Sequence, residues 1–227
     1  MKLPSHPDQA PIPGLGAVVL CGGESSRMGT PKAWLDFVGE PLLARVVGRV
    51  AAAAWPLVIV AAPEQKLPSM PVEALIVRDP TRGLGPLQGL AVGLAALDGR
   101  ARAAFVASTD APFLTPAFIR RIHAIHTLQT LPGALPAIVV PRAHGHDHPL
   151  AAIYDLRVLS AAEALLAEGT RRLSALLARA RTLFADPQLL LADRELRAAD
   201  PALRALRNVN TPEDYRAALA EEREHPG

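Results

Sequence analysis

The 227-residue chain has few cysteines and little net charge, and both shortages limit its class. Its single cysteine, Cys21, excludes an internal disulfide and a zinc site built on cysteines. Cys21 is either a small packing residue at a strand end or a reactive thiol. The net charge of +2 gives no indication of nucleic-acid binding. Residues 1–14 contain several prolines and no apolar core, which excludes a signal peptide and a membrane span there. We expect a cytoplasmic protein that binds neither nucleic acid nor membranes.

Two polar residue types are also scarce. Lys2, Lys32 and Lys66 are the only lysines, because every other basic residue is arginine. A lysine in a glycine-rich loop of such a chain is expected to be needed as a compact charge. Asn208 and Asn210 are the only asparagines, and they flank one valine.

The composition predicts one α/β domain. Half of the residues are hydrophobic, enough for one sizeable core, and no internal repeat or low-complexity linker divides them. We assign residues 1–15 to a flexible proline-rich tail and 16–222 to the domain. Short apolar runs alternate with helical spacing, which implies parallel crossovers with ligands at the carboxyl ends of the strands. Strands are predicted at 17–20, 57–60, 74–77, 103–107 and 136–140, and helices at 41–54, 155–168 and from 169 onward.

The loop after the first strand has features of an anion site. Gly22 and Gly23 can adopt positive φ and lack side chains, so backbone N–H groups can approach a phosphate. Arg27 and Lys32 add two cations. The loop is neither a Walker loop nor G-x-G-x-x-G, and a tight turn with a solvated lysine is the alternative interpretation.

Two aspartates follow predicted strands. Asp110 comes after the strand at 103–107, facing the first loop, and magnesium prefers oxygen ligands such as one carboxylate with substrate phosphates and water. The alternative is a helix cap, although Thr115 and Pro116 already provide one. Asp79 follows the strand at 74–77, and a turn-forming aspartate before proline explains it equally well.

Later residues suggest two further sites. His144, His146 and His148 alternate and in an extended segment could bind zinc, but neighbouring glycine and proline favour a loop. Arg171 and Arg172 lie near a predicted helix start, against the favourable polarity of the helix dipole. A bound anion would explain them, as would solvated charge.

The residue strings resemble the MobA-like nucleotidyltransferases, in particular the molybdenum cofactor guanylyltransferases. Five separated motifs occur in the family's order. They are LCGGESSRMGTPK at 20–32 with GEPLL at 39–43, RDPTRGLGPLQGL at 78–90, STDAPF at 108–113, DHP at 147–149 and NVNTPED at 208–214. Two departures are Cys21, where alanine is commoner, and the absence of an asparagine at 60–63, which leaves base selection open.

The resemblance implies a single-domain, Rossmann-like three-layer α/β/α fold with a mostly parallel sheet. It implies transfer of GMP from GTP to molybdopterin or molybdenum-molybdopterin with Mg²⁺ and release of pyrophosphate, by a monomer or weak homo-oligomer. The alternatives are CMP transfer to the same pterin, nucleotide transfer to another small phosphorylated acceptor, and a nucleotide-binding regulatory domain without turnover.

The resemblance also implies roles for individual residues. The catalytic residues would be Arg27, Lys32 and Asp110, and the metal ligands Asp110 and Asn210. The nucleotide-binding residues would be Leu20, Cys21, Gly22, Gly23, Lys32, Asp79 and Asp110. The acceptor-binding residues would be Asp147, His148, Arg171, Arg172 and Asn208, although a plain surface loop remains the alternative for the DHP segment.

Overall fold

A computed structural model of the protein describes residues 10–22, 30–80, 83, 85–129 and 137–224. The strands are β1 (Leu15–Leu20), β2 (Asp36–Phe37), β3 (Glu40–Pro41), β4 (Leu57–Ala61), β5 (Leu75–Arg78), β6 (Ala103–Ser108), β7 (Ala137–Ala143), β8 (His146–Asp147), β9 (Ala151–Asp155) and β10 (Arg181–Ala185). The helices are α1 (Leu42–Ala51), α2 (Pro86–Ala96), α3 (Pro116–Gln129), α4 (Leu159–Ala167), α5 (Leu173–Arg179), α6 (Pro187–Leu191), α7 (Arg194–Ala199) and α8 (Pro212–Glu224).

Eight of the described strands form one mixed sheet, whose order is β10-β7-β9-β6-β1-β4-β5 with β8 paired to β7. Strands β2 and β3 pair with each other in a separate antiparallel sheet. Strands β5, β4, β1 and β6 are mutually parallel, and β9 runs antiparallel to both β6 and β7. The carboxyl ends of the four parallel strands therefore lie at one edge of the sheet, where open α/β sheets bind ligands.

Helices cover both faces of the sheet. Along β1, Ala17 and Val19 belong to a core shared with α1, α3, α6 and α7, whereas Val18 and Leu20 belong to a core shared with α2, α4 and α5. This alternation follows from the two-residue period of a strand. Because both faces are buried, the strand is apolar throughout. The predicted three-layer α/β/α fold with a mostly parallel sheet is confirmed.

Two parts of the secondary structure differ from the prediction. The segment predicted as a helix at 155–168 begins instead with the end of β9 and a 3₁₀ turn, and α4 starts only at Leu159. A strand buried on both faces has no period-two pattern, so the apolar run around it could not be separated from a helix. The strand β10 was missed as well, and the last helix before it starts at Leu173 rather than at 169.

The described part of the chain is ordered before the predicted domain start at 16. Leu15 is the fully buried first residue of β1, and the Ile12 N–H donates to the Ala53 carbonyl at 2.8 Å. Residues 1–9 of the predicted tail lie outside the described residues. Among the helices that the structure describes, none has both the length and the apolar character to cross a membrane.

Two helical glycines should respond oppositely to alanine. A Cβ on Gly93 in α2 would lie 2.4 Å from Val18 Cγ1, whereas one on Gly48 in α1 would lie 3.5 Å from Pro71 Cγ, an ordinary contact. We expect Gly93→Ala to lower the free energy of unfolding by about 1–3 kcal/mol through overpacking. We expect Gly48→Ala to raise it by up to about 1 kcal/mol through helix propensity. Urea unfolding of both variants tests this, and changes of the same sign would contradict the packing of α2 on β1.

Candidate active site

The ends of β1 and β6 are joined at the carboxyl edge of the sheet. Leu20 pairs with Ser108 in the sheet register. One residue further on, both the backbone N–H and the hydroxyl of Thr109 donate to the Leu20 carbonyl, at 3.2 Å and 3.1 Å. Thr109 is buried, so these two hydrogen bonds fix the direction in which the chain leaves β6. Asp110 is thereby held beside the loop that follows β1.

Three of the predicted site residues meet at this point. The Lys32 Nζ lies 3.0 Å from Asp110 Oδ2 and 2.9 Å from Asn210 Oδ1. These residues come from three distant parts of the sequence: the 3₁₀ turn Lys32–Trp34, the end of β6, and the segment before α8. The Lys32 ammonium thus contacts both the Asp110 carboxylate and the Asn210 amide oxygen. Both distances are typical of charge-assisted hydrogen bonds.

The Asp110 carboxylate is held on two sides. The Ser108 hydroxyl donates to Oδ1, which directs Oδ2 toward Lys32. The Asp110 side chain is 17% exposed and that of Lys32 is 22% exposed, so water screens this ion pair only in part. Ser108 was part of the STDAPF string, but its contact with Asp110 was not predicted.

The segment 208–214 carries Asn210 to the site. Its Val209 is buried and donates its backbone N–H to the Asp110 carbonyl at 2.8 Å, whereas Asn208 and Asn210 are exposed. The Asp214 carboxylate accepts from the backbone N–H groups of Asn210 and Thr211, at 3.1 Å and 2.9 Å. Thr211 Oγ1 in turn accepts from the Asp214 N–H, so the two side chains cap the start of α8 reciprocally. Desolvation opposes ionisation of Asp214, but these hydrogen bonds hold its pKa below the ordinary value.

A buried ion pair fixes α8, and with it Asn210, against the rest of the domain. The Arg45 guanidinium in α1 pairs with Glu222 in α8, and both side chains are less than a tenth exposed. Arg45 Nε also donates to the Pro112 carbonyl at 2.9 Å, directly after the Asp110 segment. The Arg204 Cζ lies 4.7 Å from the centroid of the Phe113 ring. These contacts connect α1, the segment after β6 and the C-terminal helix around the site.

The Asp110 and Asn210 oxygens fit a hard divalent cation. Magnesium prefers carboxylate and amide oxygens at about 2.0–2.1 Å, and here two such oxygens already surround one cation, the Lys32 ammonium. In the described part of the chain, no group of three or more His, Cys, Asp or Glu side chains could hold a metal. A divalent cation here would therefore take its remaining ligands from phosphate oxygens and water.

The backbone after β1 is tied to the loop after β4 by Gln65. The Gln65 Nε2 donates to the Cys21 carbonyl at 3.1 Å, and its Oε1 accepts from the Ala62 N–H at 2.9 Å. The Cys21 N–H donates to the Val60 carbonyl. Gln65 lies just after residues 60–63, where the expected asparagine is absent, and no pattern in the sequence indicated this role.

Cys21 is a packing residue rather than a reactive thiol. It is 8% exposed, and burial raises its pKa above the ordinary value. We expect native Cys21 to react with a disulfide reagent such as DTNB at least about tenfold more slowly than the same thiol in denaturant. Because it is the chain's only cysteine, total label reports on it alone. Rapid labelling of the native protein would contradict this burial.

The glycine pair is only half described, because Gly23 and Arg27 lie outside the described residues. Gly22 does not adopt the positive φ that glycine permits. A Cβ built on it would contact, among the residues described, only the Ala62 nitrogen at 3.8 Å. Neither backbone conformation nor crowding by these residues therefore requires glycine at position 22.

Asp79 lies at the same edge of the sheet but two strands away from β1. Its backbone N–H donates to the Ala61 carbonyl at 2.9 Å, which continues the pairing of β5 with β4. The side chain is partly exposed. The structure thus places Asp79 on the ligand edge, without bringing it into the Lys32–Asp110–Asn210 cluster.

The DHP segment lies on the other side of β6. It connects the hairpin of β7 and β8 to β9, and Ala151 at the start of β9 pairs with Ala107 near the end of β6. Asp147 is exposed and forms an ion pair with Arg142, with 2.6 Å between Oδ1 and Nε. Burial lowers the pKa of His148, and its Nε2 lies 3.1 Å from the Ala143 carbonyl. A carbonyl only accepts, so Nε2 of His148 carries a proton in this contact.

The zinc hypothesis for the three histidines is not supported. His144 and Gly145 both have positive φ, 53° and 77°, and form the tight turn between β7 and β8. Among the described residues no histidine cluster suited to a metal is present. The alternating spacing that suggested zinc is interrupted by this turn.

Arg171 and Arg172 precede α5 instead of lying within it. Both are exposed, and Arg172 has extended backbone angles. A Cβ on Gly85, the residue before α2, would lie 3.0 Å from the Arg171 carbonyl, so the two arginines lie beside the start of α2. They line a surface pocket of about 620 Å³ together with Gly169, Thr170, Ser174 and Ala175.

A mostly parallel sheet with charged side chains at its carboxyl edge is a Rossmann-like arrangement, in which ligands bind at that edge. Residues 17–184 match the family model for the MobA-like NTP transferase domain, and the chain belongs to this family of nucleotidyltransferases. Over 174 residues it is 40% identical to a probable molybdenum cofactor guanylyltransferase of Mycobacterium tuberculosis (strain ATCC 25618 / H37Rv), a match that covers 75% of this chain and 81% of the relative.

Two solved structures have the same fold. Molybdopterin-guanine dinucleotide biosynthesis protein A from Archaeoglobus fulgidus superposes with a TM-score of 0.72 at 22% identity, covering 92% of this chain and 99% of that one. The Rv0371c protein from Mycobacterium tuberculosis H37Rv, solved in complex with manganese, superposes with a TM-score of 0.58 at 20% identity, covering 91% and 98%.

Proposed function

We propose that this protein transfers GMP from GTP to molybdopterin or molybdenum-molybdopterin and releases pyrophosphate. Support comes from the name of its relative at 40% identity and from membership of the MobA-like family. The observation that carries the proposal is the contact of Lys32 Nζ with Asp110 and Asn210 beside the β1 loop. A lapsed nucleotide-binding domain would have no chemical need for this combination at the ligand edge.

In the proposed reaction a phosphate oxygen of the pterin attacks the α-phosphorus of GTP in line with the departing pyrophosphate. One phosphorus–oxygen bond forms at the α-phosphorus as the bond to the β-phosphate oxygen breaks. The attacking phosphate is already ionised, so no general base is required. The protein has to position both reactants and compensate the negative charge that develops on the leaving group.

Residues of the β1 loop would bind the triphosphate. Gly22 and Gly23 lack side chains and would allow a phosphate to approach the backbone. The described neighbours of Gly22 do not themselves require a glycine there. Lys32 and Arg27 would compensate charge on the β- and γ-phosphates. Leu20, Cys21 and Asp79 would contact the nucleotide along the ends of β1 and β5.

Asp110 and Asn210 would hold Mg²⁺. When bound, the ion would supply charge neutralisation and orientation of the triphosphate. Ser108 supports this role because it fixes the Asp110 carboxylate, and Asp214 supports it because it fixes the backbone on both sides of the Asn210–Thr211 bond. Removal of divalent metal with EDTA should abolish pyrophosphate release, and added Mg²⁺ should restore it.

The acceptor would bind on the two flanks of this cleft. Asp147 and His148 lie near the end of β6, and Arg171 and Arg172 lie beside the start of α2. The arginines suit the phosphate of the pterin, and Asn208 would add a donor near the metal ligands. A single catalytic domain over residues 16–222 and a cytoplasmic monomer or weak homo-oligomer remain predictions.

The decisive experiment compares GTP, CTP, ATP and UTP. Purified protein is incubated with Mg²⁺, molybdopterin or molybdenum-molybdopterin, and each nucleotide in turn, and pyrophosphate is measured. We expect release with GTP. Release with CTP instead would establish CMP transfer, and release only with another phosphorylated acceptor would change the acceptor. No release with any combination would favour a nucleotide-binding regulatory domain.

A further inference from the structure

The Lys32 ammonium fills the position between the two proposed metal ligands. It contacts Asp110 Oδ2 at 3.0 Å and Asn210 Oδ1 at 2.9 Å. The second carboxylate oxygen of Asp110 accepts from Ser108. Each Asp110 oxygen therefore already has a partner within the protein. A cation that uses Oδ2 of Asp110 and Oδ1 of Asn210 competes with the ammonium for both oxygens.

A divalent cation and the ammonium compete for these oxygens. Because Nζ is 2.9 Å from Asn210 Oδ1, a magnesium ion about 2.0–2.1 Å from both oxygens would lie within about 5 Å of Nζ. Even a slightly displaced ion would bring three positive charges together around a single carboxylate, at distances where repulsion between cations is strong. Binding of metal by both residues therefore favours movement of the Lys32 ammonium away from them.

The neighbourhood of Lys32 suits a movement of the side chain alone. The 3₁₀ turn that contains Lys32 is fixed to the loop after β4, because Trp34 Nε1 donates to the Lys66 carbonyl at 3.0 Å. The long flexible stem of lysine can relocate its ammonium by rotation about side-chain bonds while this backbone stays in place. A triphosphate that arrives beside the β1 loop would offer the ammonium new oxygens as it loses the old ones.

We infer that Lys32 and the divalent cation exchange places at Asp110 and Asn210. Before substrate binds, the ammonium neutralises Asp110 and keeps the affinity for free metal low. Metal that arrives with the triphosphate takes the two oxygens, and Lys32 moves to the phosphates. This inference rests on the proposed metal ligation, and it makes Lys32 a residue that couples metal binding to nucleotide binding.

The three lysines make this exchange directly observable. Protein labelled with ¹⁵N only in lysine has three side-chain ammonium groups, and loss of one signal in Lys32→Met assigns Lys32. We expect a sharp Lys32 signal in the free enzyme, protected by its two partners, that Mg²⁺ with a non-hydrolysable GTP analogue shifts. Mg²⁺ alone at low concentration should leave it in place. A Lys32 signal unmoved by Mg²⁺ and the analogue together would overturn the exchange.

Metal affinity provides a second, independent measurement. Mn²⁺ binding to the free protein is followed by electron paramagnetic resonance in Lys32→Met and in Lys66→Met, the matched control on an exposed lysine. We expect Lys32→Met to bind Mn²⁺ about tenfold more tightly or better than wild type, and Lys66→Met to match wild type. The difference should persist at about 1 M salt, where long-range charge effects are screened and direct competition is not. Equal affinities for wild type and Lys32→Met would overturn the inference.

A third variant separates failure of the exchange from failure of the proposed function. Asp110→Asn is titrated with Mn²⁺ in the presence of the GTP analogue. Weaker Mn²⁺ binding in Asp110→Asn, together with unchanged free-enzyme affinity in Lys32→Met, would keep the metal site and overturn only the exchange. Unchanged binding in Asp110→Asn would remove the metal from Asp110 and overturn both. Thermal unfolding of each variant verifies that the fold is retained.

Discussion

Replacing Asp110 with asparagine should lower kcat for pyrophosphate release by about 10²–10³-fold while the protein stays folded. The substitution keeps the size of the side chain and removes its negative charge. The variant would lack the ion pair with Lys32 and a carboxylate that can bind a hard cation. Both would weaken the charge compensation that the proposed reaction needs. The backbone carbonyl of residue 110 still accepts from Val209, so α8 should remain docked.

A matched control is Asp98→Asn, at an exposed aspartate just beyond α2. Its kcat should equal that of wild type, because a surface substitution of this kind changes stability by no more than about 0.5 kcal/mol. Steady-state kinetics and thermal unfolding of both variants are required together. Near-wild-type turnover of a folded Asp110→Asn protein would remove Asp110 from the metal site.

The centre of the site could be predicted because sheet topology determines it. Asp110 follows a buried strand, and parallel strands in a layered α/β sheet end at one edge, so its proximity to the β1 loop follows from local patterns. Lys32 was indicated by the scarcity of lysine. Neither inference needed knowledge of contacts between distant residues. In the structure, Lys32 Nζ lies 3.0 Å from Asp110 Oδ2.

The position of Asn210 could not be derived in that way. It lies 178 residues from Lys32 along the chain, and only the resemblance of NVNTPED to the family motif suggested its role. Its position depends on contacts between residues far apart in the sequence, such as the ion pair of Arg45 with Glu222, which are 177 residues apart. Helical periodicity shows such residues as polar positions on their own helices, but it carries no information about the partner.

The antiparallel strand β9 was missed for a related reason. Residues 151–155 are buried on both faces, and Tyr154 is among the largest fully buried side chains. A run buried on every side has the same composition in a strand as in a buried helix. The pairing of β9 with β6 and β7 is a long-range property, and it positions His148 near Asp110's strand.

Replacing Lys32 with alanine should lower kcat by about 10²-fold and raise the dissociation constant for GTP much less. In the proposed reaction, charge on the pyrophosphate grows as the bond breaks, so an ammonium at the triphosphate stabilises the transition state more than the ground state. Lys32→Arg should also be impaired despite its charge. The site brings one small ammonium within 2.9–3.0 Å of two oxygens, a geometry that a planar guanidinium does not reproduce.

Lys66→Ala and Lys66→Arg are the matched controls, because Lys66 is exposed and only its backbone carbonyl has a described contact, with Trp34. Both should keep wild-type kcat and GTP affinity. Steady-state kinetics give kcat, and equilibrium binding of a non-hydrolysable GTP analogue gives the dissociation constant, so the two effects are measured separately. Wild-type rates in both Lys32 variants would show that Lys32 is a solvated surface lysine. They would also overturn the placement of the triphosphate on the β1 loop.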